Sequence, residues 1–183
     1  MKTGVCCCAA VGMVAMALTI SCGKKDVEPR SAAPTQSAAP AAAAPAAAPL
    51  TPGMSKSLKR NPEPPFYNFD YLGPIHYPAV QKSPQVPGDD EVMITGWAAD
   101  PSKKALAGGV DIVIDGVPYS AGYGTDRSDV ANHYNTPDLA KCGFQLRLAR
   151  KQLTKGPHAA SVRVIAQDKK SYNEGPTVQF TVI

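Results

Sequence analysis

The sequence predicts an all-β domain built as a two-sheet sandwich, preceded by a long N-terminal region of different composition. The chain has 183 residues, which is enough for one ordinary domain with additional segments. Of its 18 prolines, 13 precede Gly88. After residue 89, short segments follow one another in which every second residue is apolar, a pattern typical of strands with one buried face. The expected domain therefore comprises residues 89–183.

Two of the predicted strands form a β-hairpin. Residues 110–114 alternate between inward apolar and outward positions, and residues 117–123 are predicted as the return strand. Between them, Asp115-Gly116 supplies the two residues that tolerate positive φ in a type I′ turn. The remaining predicted strands share the same alternation and lie at residues 92–98, 144–148, 161–166 and 178–182. The pattern predicts a sandwich of about seven strands.

A short helical insertion is predicted at residues 126–141. Val130 and Tyr134 have the spacing of one helix face, and Ser128 suits a helix start. A second short turn is expected after Thr136, because threonine is a fair N-cap and the proline that follows favours the first helical position.

A series of short motifs runs through residues 90–183. In chain order they are Gly96-Trp97-Ala98-x-Asp100, Asp115-Gly116, Arg127-x-Asp129-Val130, Cys142-Gly143-Phe144 and Leu153-x-x-Gly156-x-His158. This order resembles the immunoglobulin-like sandwich modules of bacterial envelope proteins. The resemblance implies an immunoglobulin-like β-sandwich without catalytic activity, and it assigns no ligand.

The N-terminus has the composition of an export signal. Met1-Lys2 gives a short positive start, and residues 5–20 are apolar or small without any charge. Leu18-Thr19-Ile20-Ser21-Cys22 then places a small residue directly before a cysteine. This resembles the lipobox of bacterial lipoproteins, although Thr19 stands where that family most often has leucine.

The lipobox resemblance implies that residues 1–21 are removed as a signal peptide and that the Cys22 thiol is lipidated, which anchors the protein to a membrane. Gly23 follows the cysteine, and by similarity to enteric lipoproteins this points to the outer membrane of the cell envelope. The alternative is an uncleaved membrane anchor, for which the apolar segment lies at the lower limit needed to cross ~30 Å of hydrocarbon.

The region between the signal and the domain divides into two parts. Residues 22–60 are predicted to be a disordered Ala/Pro-rich tether, because prolines interrupt the alanine runs before a helix can form. Residues 61–88 are rich in proline and in aromatic residues, namely Phe66, Tyr67, Phe69, Tyr71 and Tyr77. We expect an extended arm that packs on the domain and buries some of these rings. The alternative is a surface of exposed aromatic rings that contacts a peptide or a sugar.

Removal of the signal leaves two cysteines, Cys22 and Cys142. A lipidated Cys22 cannot form a disulfide, so packing alone must hold the domain together. Cys142 is interpreted as a buried, small hydrophobic residue. A nucleophilic role would require a histidine at a familiar spacing, and the sequence offers none.

Charge and motif content argue against several classes of function. Residues 1–88 carry 8 Lys/Arg against 4 Asp/Glu, whereas residues 89–183 carry 11 of each, so the domain lacks the basic excess of a nucleic-acid binder. His76, His133 and His158 have no metal-ligand spacing, so no metal or other cofactor is predicted. No Gly-x-Ser-x-Gly motif is present, and the carboxylates fall mostly in turns. The protein is therefore not expected to be an enzyme.

Arg127 and Asp129 border the predicted helix and are candidate contact residues. In the functional interpretation they orient a ligand carboxylate or a sugar hydroxyl. In the structural interpretation the planar guanidinium of Arg127 pairs with Asp100 or with a loop carbonyl and fixes the insertion to the sandwich.

Four tyrosines are candidate surface contacts: Tyr119, Tyr123, Tyr134 and Tyr172. A flat row of aromatic rings would bind sugars by stacking, as in a carbohydrate-binding module. Trp97 follows Gly96 and is expected in the core. The sequence thus predicts a monomeric, non-catalytic binding or structural module whose partner is an envelope protein or a glycan.

Replacing Cys22 by alanine tests the lipid anchor. Cys22→Ala should prevent incorporation of a fatty-acid analogue and release the protein from the membrane fraction, because the acylated sulfur is gone. Labelling and fractionation would be compared with Cys8→Ala, a matched control within the segment that is removed. Equal labelling of the two variants would contradict the lipoprotein interpretation.

Overall fold

The computed structural model describes residues 49–88, 91–102, 105–149 and 151–183. These residues form two β-sheets with thirteen strands, one short α-helix and three 3₁₀ segments. The predicted all-β sandwich with a short helical insertion is confirmed. The predicted signal peptide, the lipidation site and most of the predicted tether lie outside the described residues. Within the described ranges, no helix is long and apolar enough to cross a membrane.

More strands are present than the seven predicted. In chain order they are β1 (Lys59–Asn61), β2 (Phe66–Leu72), β3 (Ile75–His76), β4 (Gln85–Val86), β5 (Val92–Asp100), β6 (Ala105–Leu106), β7 (Gly109–Ile114), β8 (Val117–Ser120), β9 (Gly122–Thr125), β10 (Gly143–Leu148), β11 (Gly156–Ile165), β12 (Ser171–Glu174) and β13 (Val178–Val182). The helix α1 spans Ser128–His133, and 3₁₀ segments lie at Met54–Ser57, Pro78–Val80 and Pro137–Lys141. Seven strands were not predicted separately. β1–β4 precede the predicted domain, and β6 and β12 are too short to show an alternating pattern. The predicted strand at residues 117–123 is divided between β8 and β9.

The two sheets differ in their arrangement. In sheet A, the long strand β11 pairs with β7 on one side and with β12 and β13 on the other. Three further strands extend this sheet: β8 pairs with β7, β1 pairs with β12, and β4 pairs with β13. Sheet B has the order β3-β2-β5-β10-β9, and β6 also pairs with β5. All pairs are antiparallel except β1 with β12 and β4 with β13.

The main core lies between the sheets. It is built from every second residue of the long strands, including Ile94, Ile112, Phe144, Val162 and Phe180, each at most 2% exposed. Removal of this apolar surface from water is the principal stabilising contribution to such a domain.

The β7–β8 hairpin has the predicted turn, with φ of 49° at Asp115 and 82° at Gly116. His158 supports this turn, since its Nδ1 lies 2.7 Å from an Asp115 carboxylate oxygen. The predicted return strand at residues 117–123 needs correction, because its first part pairs in sheet A and Gly122–Thr125 pairs in sheet B. A period-2 pattern cannot distinguish one strand from two that continue the same alternation.

The segment predicted as an aromatic arm contributes strands to both sheets. β2 pairs with β5 inside sheet B, and the side chains of Phe69 and Leu72 lie in the main core. Pro65 and Pro74 flank β2 without interrupting it, so the ladder hydrogen bonds are preserved. The sandwich therefore extends N-terminally of residue 89.

The residues just before β1 lie on the outer face of sheet A. The Gly53 N–H donates to the Pro118 carbonyl at 2.8 Å, and the Ser55 N–H donates to an Asp111 carboxylate oxygen at 2.6 Å. Asp111 alternates with the core residues of β7 and is fully buried. Gly53 and Ser55 are thus held by β8 and β7 of sheet A.

A second apolar cluster lies on the outer face of sheet B. There Trp97 of β5 packs with Val130 of α1, and with Leu139 and Cys142 further along the insertion. Trp97 is 7% exposed, as expected for a core residue. Burial raises the pKa of the free Cys142 thiol to about 11, so this thiol stays protonated at neutral pH.

A chain that begins at residue 89 should not fold stably, because it lacks β2 and loses the burial of Phe69 and Leu72, each worth ~1.5–3 kcal/mol. A chain that begins at residue 44 keeps the compact unit Ala44–Ile183 and should unfold cooperatively. Urea unfolding followed by circular dichroism compares the two. Equal midpoints would show that β2 is dispensable.

Candidate functional site

A cleft of about 560 Å³ opens on the outer face of sheet B, beside the second apolar cluster. Its walls come from β2, β5, the start of α1 and the residue before the second 3₁₀ segment. The lining consists of Pro65, Phe66, Tyr67, Asn68, Asp70, Tyr77, Trp97, Arg127, Asp129, Val130, His133 and Tyr134. Its size lies within the range usual for small-molecule sites.

Three aromatic rings form one side of the cleft. Phe66 meets Trp97 and Tyr134 edge to face, with 5.0 Å between the ring centroids in both pairs. Trp97 and Tyr134 are 5.6 Å apart in a similar arrangement. Edge-to-face contacts of this kind hold the rings in a fixed orientation. Tyr134 remains 42% exposed, so part of its surface is free to contact a ligand.

The other side of the cleft is formed by Arg127 and two carboxylates. Arg127 makes a two-hydrogen-bond contact with Asp129, with nitrogen–oxygen distances of 2.9 and 2.7 Å, and its Nη1 lies 2.5 Å from an oxygen of Asp70. The hydrogen bonds from Arg127 lower the pKa of Asp129 to about 2, and the bond to Asp129 in turn raises the pKa of Arg127. Only 20% of the Arg127 side chain and 13% of the Asp70 side chain are exposed.

Two local features allow Arg127 to reach Asp70. The register between β2 and β5 shifts between Phe69 and Tyr71, which makes Asp70 the extra residue of a β-bulge. Beneath Arg127 lies Gly143 of β10, where a Cβ atom would come within 2.9 Å of Arg127 Cγ. The missing side chain at Gly143 therefore leaves room for the arginine to cross the sheet.

Tyr77 enters the cleft from a strained backbone conformation. Its φ is 49°, in the left-handed region that bulky residues rarely adopt. The Tyr77 N–H donates to the Asp70 carbonyl at 2.7 Å, which ties this residue to the same bulge. Strained residues held by their surroundings are frequent at binding sites.

The charges of the cleft disfavour an anionic ligand. The charged lining residues are Arg127, Asp70 and Asp129, so with His133 neutral the formal charge of the cleft is −1. An anionic ligand would compete with both carboxylates for Arg127. A ligand with an apolar face and hydroxyl groups would instead contact the rings and hydrogen-bond to the carboxylates and to Asn68. Within the described ranges, no group of three or more His, Cys, Asp or Glu side chains could hold a metal ion.

The structure brings Arg127 and Asp129 together, but the expected contact with Asp100 needs correction. The acidic partners of Arg127 are Asp129 and Asp70, whereas Asp100 accepts hydrogen bonds from Ser102 and from the Gln167 N–H. Asp70 precedes Arg127 by 57 residues and lies in the segment that the sequence assigned to the arm. No local pattern could identify this pair.

The four candidate tyrosines do not share one surface. Tyr119 packs against the main core, Tyr172 is 9% exposed beside the Arg163 guanidinium, and only Tyr134 lines the cleft. Tyr123 donates to the Ala98 carbonyl at 2.7 Å, and burial raises its pKa to about 12. The aromatic site is formed instead by Tyr134 together with Phe66, Tyr77 and Trp97. Phe66 and Tyr77 precede the predicted domain. The sequence feature that could have indicated them is the high density of aromatic residues in segment 61–88.

No protein-family model matches the chain, and the search of curated proteins finds no match. Among solved structures, an endo-beta-1,4-mannanase from Thermotoga petrophila is 10% identical with a TM-score of 0.39 over 67% of this chain. This chain spans 20% of the mannanase chain. The fibronectin(III)-like modules of Clostridium thermocellum CbhA are 19% identical with a TM-score of 0.35, over 56% of this chain and 91% of theirs.

Arg127→Ala should lower the free energy of unfolding by ~1–3 kcal/mol, because Asp70 and Asp129 each lose a charged hydrogen-bond donor. Lys141→Ala is the matched control, since Lys141 and Asp126 form an ion pair with both side chains about 60% exposed. That control should change the stability by less than ~0.5 kcal/mol. Equal urea midpoints for the two variants would show that the Arg127 contacts have no structural role.

Proposed function

We propose that this protein is a non-catalytic lipoprotein of the bacterial envelope, anchored by a lipid at Cys22, whose β-sandwich is a binding module. Its binding site is the cleft of Phe66, Trp97, Tyr134 and the Arg127 ion pairs. The N-terminal sequence supports the anchor, and the composition of the cleft supports the binding role. The ligand is a neutral carbohydrate.

The cleft carries the carbohydrate assignment by combining two chemical surfaces. A sugar ring has an apolar face of C–H groups, which Phe66 and the exposed part of Tyr134 can contact. Its edge carries hydroxyl groups that donate to carboxylates and accept from N–H groups. Asp70, Asp129 and Asn68 supply the polar groups beside the rings.

The state of the Asp129 carboxylate supports binding without hydrolysis. A glycosidase needs one carboxylic acid with a raised pKa to protonate the leaving group. Asp129 has a lowered pKa because Arg127 donates two hydrogen bonds to it. It is therefore ionised at neutral pH and cannot be the acid. Asp70 is held by Arg127 and by the Asn68 amide.

The position of the cleft suits a displayed module. Gly53 and Ser55 lie on the outer face of sheet A, whereas the cleft opens on the outer face of sheet B. The described residues that precede β1 therefore do not line the cleft. This arrangement leaves the site open to a glycan or to another envelope component.

Isothermal titration against a panel of neutral oligosaccharides tests the binding role. The full-length protein should bind at least one of them, and Tyr134→Ala should lower the affinity at least about tenfold by removing an exposed contact surface. Val117→Ala, an equally exposed change on sheet A, should leave the affinity unchanged. No reducing ends should be released from the bound sugar. Absence of binding across the panel, or hydrolysis, would refute the proposal.

A further inference from the structure

Beside the cleft, the outer face of sheet B has a second groove of about 300 Å³. Asp70 and Arg127 line both spaces, so their ion pair is the boundary between the cleft and the groove. The groove is also lined by Tyr71, Thr95 and Gln145. We propose that the ligand is an oligosaccharide chain that crosses the Arg127–Asp70 pair and occupies the groove as a second subsite; this inference rests on the proposed carbohydrate-binding function.

The groove is formed by one row of side chains across three strands. Tyr71 lies opposite Thr95, and Thr95 lies opposite Gln145. The neighbouring row on the same face contains Asn68, Trp97 and Gly143 and belongs to the cleft side. Rows two residues apart along a strand are separated by ~7 Å. The cleft and the groove therefore follow each other along the strands, as successive subsites for one chain would.

An aromatic stack borders both spaces. The His76 ring stacks on Tyr71 with 4.5 Å between centroids and on Tyr77 with 3.8 Å. Tyr77 lines the cleft and Tyr71 lines the groove, and both side chains are about 45% exposed. The stack thus gives a continuous aromatic border along the two spaces. Tyr77, the residue with the left-handed backbone, is the member of the stack that lines the cleft.

Apart from the Arg127–Asp70 pair, the polar side chains of the groove are uncharged and available. Across the described parts of the chain, the Thr95 hydroxyl and the Gln145 amide have no hydrogen-bond partner, and both can donate and accept. An arginine carries five N–H donors, and the bonds to Asp70 and Asp129 use three of those of Arg127. The two remaining donors can bind hydroxyl groups of a sugar that crosses the ion pair.

An extended peptide suits this surface less well. Peptides that add to a sheet pair with an unpaired strand edge. Here β5 is paired with β2 on one side and with β10 on the other, so the groove offers side chains and no free backbone edge. Recognition must therefore come from rings, hydroxyl and amide groups, which is the chemistry of sugar binding.

The test measures affinity against chain length. The probes are neutral β-1,4-linked oligomers of glucose, mannose and N-acetylglucosamine, each from one to six units, titrated into the full-length protein. For the series that binds, affinity should rise with length and then level off once both subsites are filled. Affinity that does not depend on length would overturn the second subsite and leave the cleft intact. No binding in any series would overturn both proposals, as would binding of extended peptides alone.

Variants locate the second subsite. Tyr71→Ala and Gln145→Ala should each weaken the longest oligomer about tenfold while leaving the shortest binding oligomer unchanged. Gln145→Ala separates an effect on the groove from a disturbance of the stack, because Gln145 is exposed on β10 and is not one of the stacked residues. Val80→Ala is the matched control, since Val80 is 85% exposed near the stack and lines neither space. Equal losses for short and long oligomers would overturn the assignment of the groove.

Discussion

The ion pair between Arg127 and Asp70 is the contact on which the geometry of the proposed binding face depends. It connects the residue that precedes α1 with the bulge of β2, and so it crosses the outer face of sheet B over β10 and β5. The same arginine fixes Asp129 at the start of α1. Arg127 thereby joins the helical insertion to β2 across the central strands β5 and β10. Because the pair is mostly buried, loss of Arg127 leaves Asp70 without a compensating charge, which is costly in a protein interior.

This contact requires two departures from regular β-structure. The bulge at Asp70 aims its carboxylate at the arginine and its carbonyl at the Tyr77 N–H, so one extra residue positions both a charge and an aromatic ring. The absence of a side chain at Gly143 lets the arginine lie close to β10. An alanine there would crowd both Thr125 and Arg127 without removing any charge. A bulge and a glycine thus determine where the polar side of the cleft lies.

The parts of the fold that depend on local pattern could be predicted from the sequence. Alternation identified the strands that became β5, β7, β10, β11 and β13, and Asp115-Gly116 identified the hairpin, because both signals depend on neighbouring residues. β2 could not be identified as part of the sandwich, since its partner β5 follows only after a proline-rich connection and its composition resembled that of an arm. The same limit applies to the candidate site. Arg127 and Asp129 could be predicted together because they are two residues apart. Asp70, Phe66 and Tyr77 could not, because they reach this pair only through the pairing of β2 with β5.

The difference between the two outer faces explains why the site lies on sheet B. On sheet A, the segment that includes Gly53 and Ser55 is held by the buried Asp111, and Arg163 with Glu174 adds a further partly buried ion pair on that sheet. On sheet B, α1 has only six residues, and the insertion covers Trp97 and Ala99 but leaves Thr95 and Tyr71 outside its cover. A longer insertion would have closed this face. The short insertion covers one end of β5, whose residues there are buried on both faces of the sheet, and leaves an open surface beside it. Aromatic rings border this surface, and the helix itself helps to orient them.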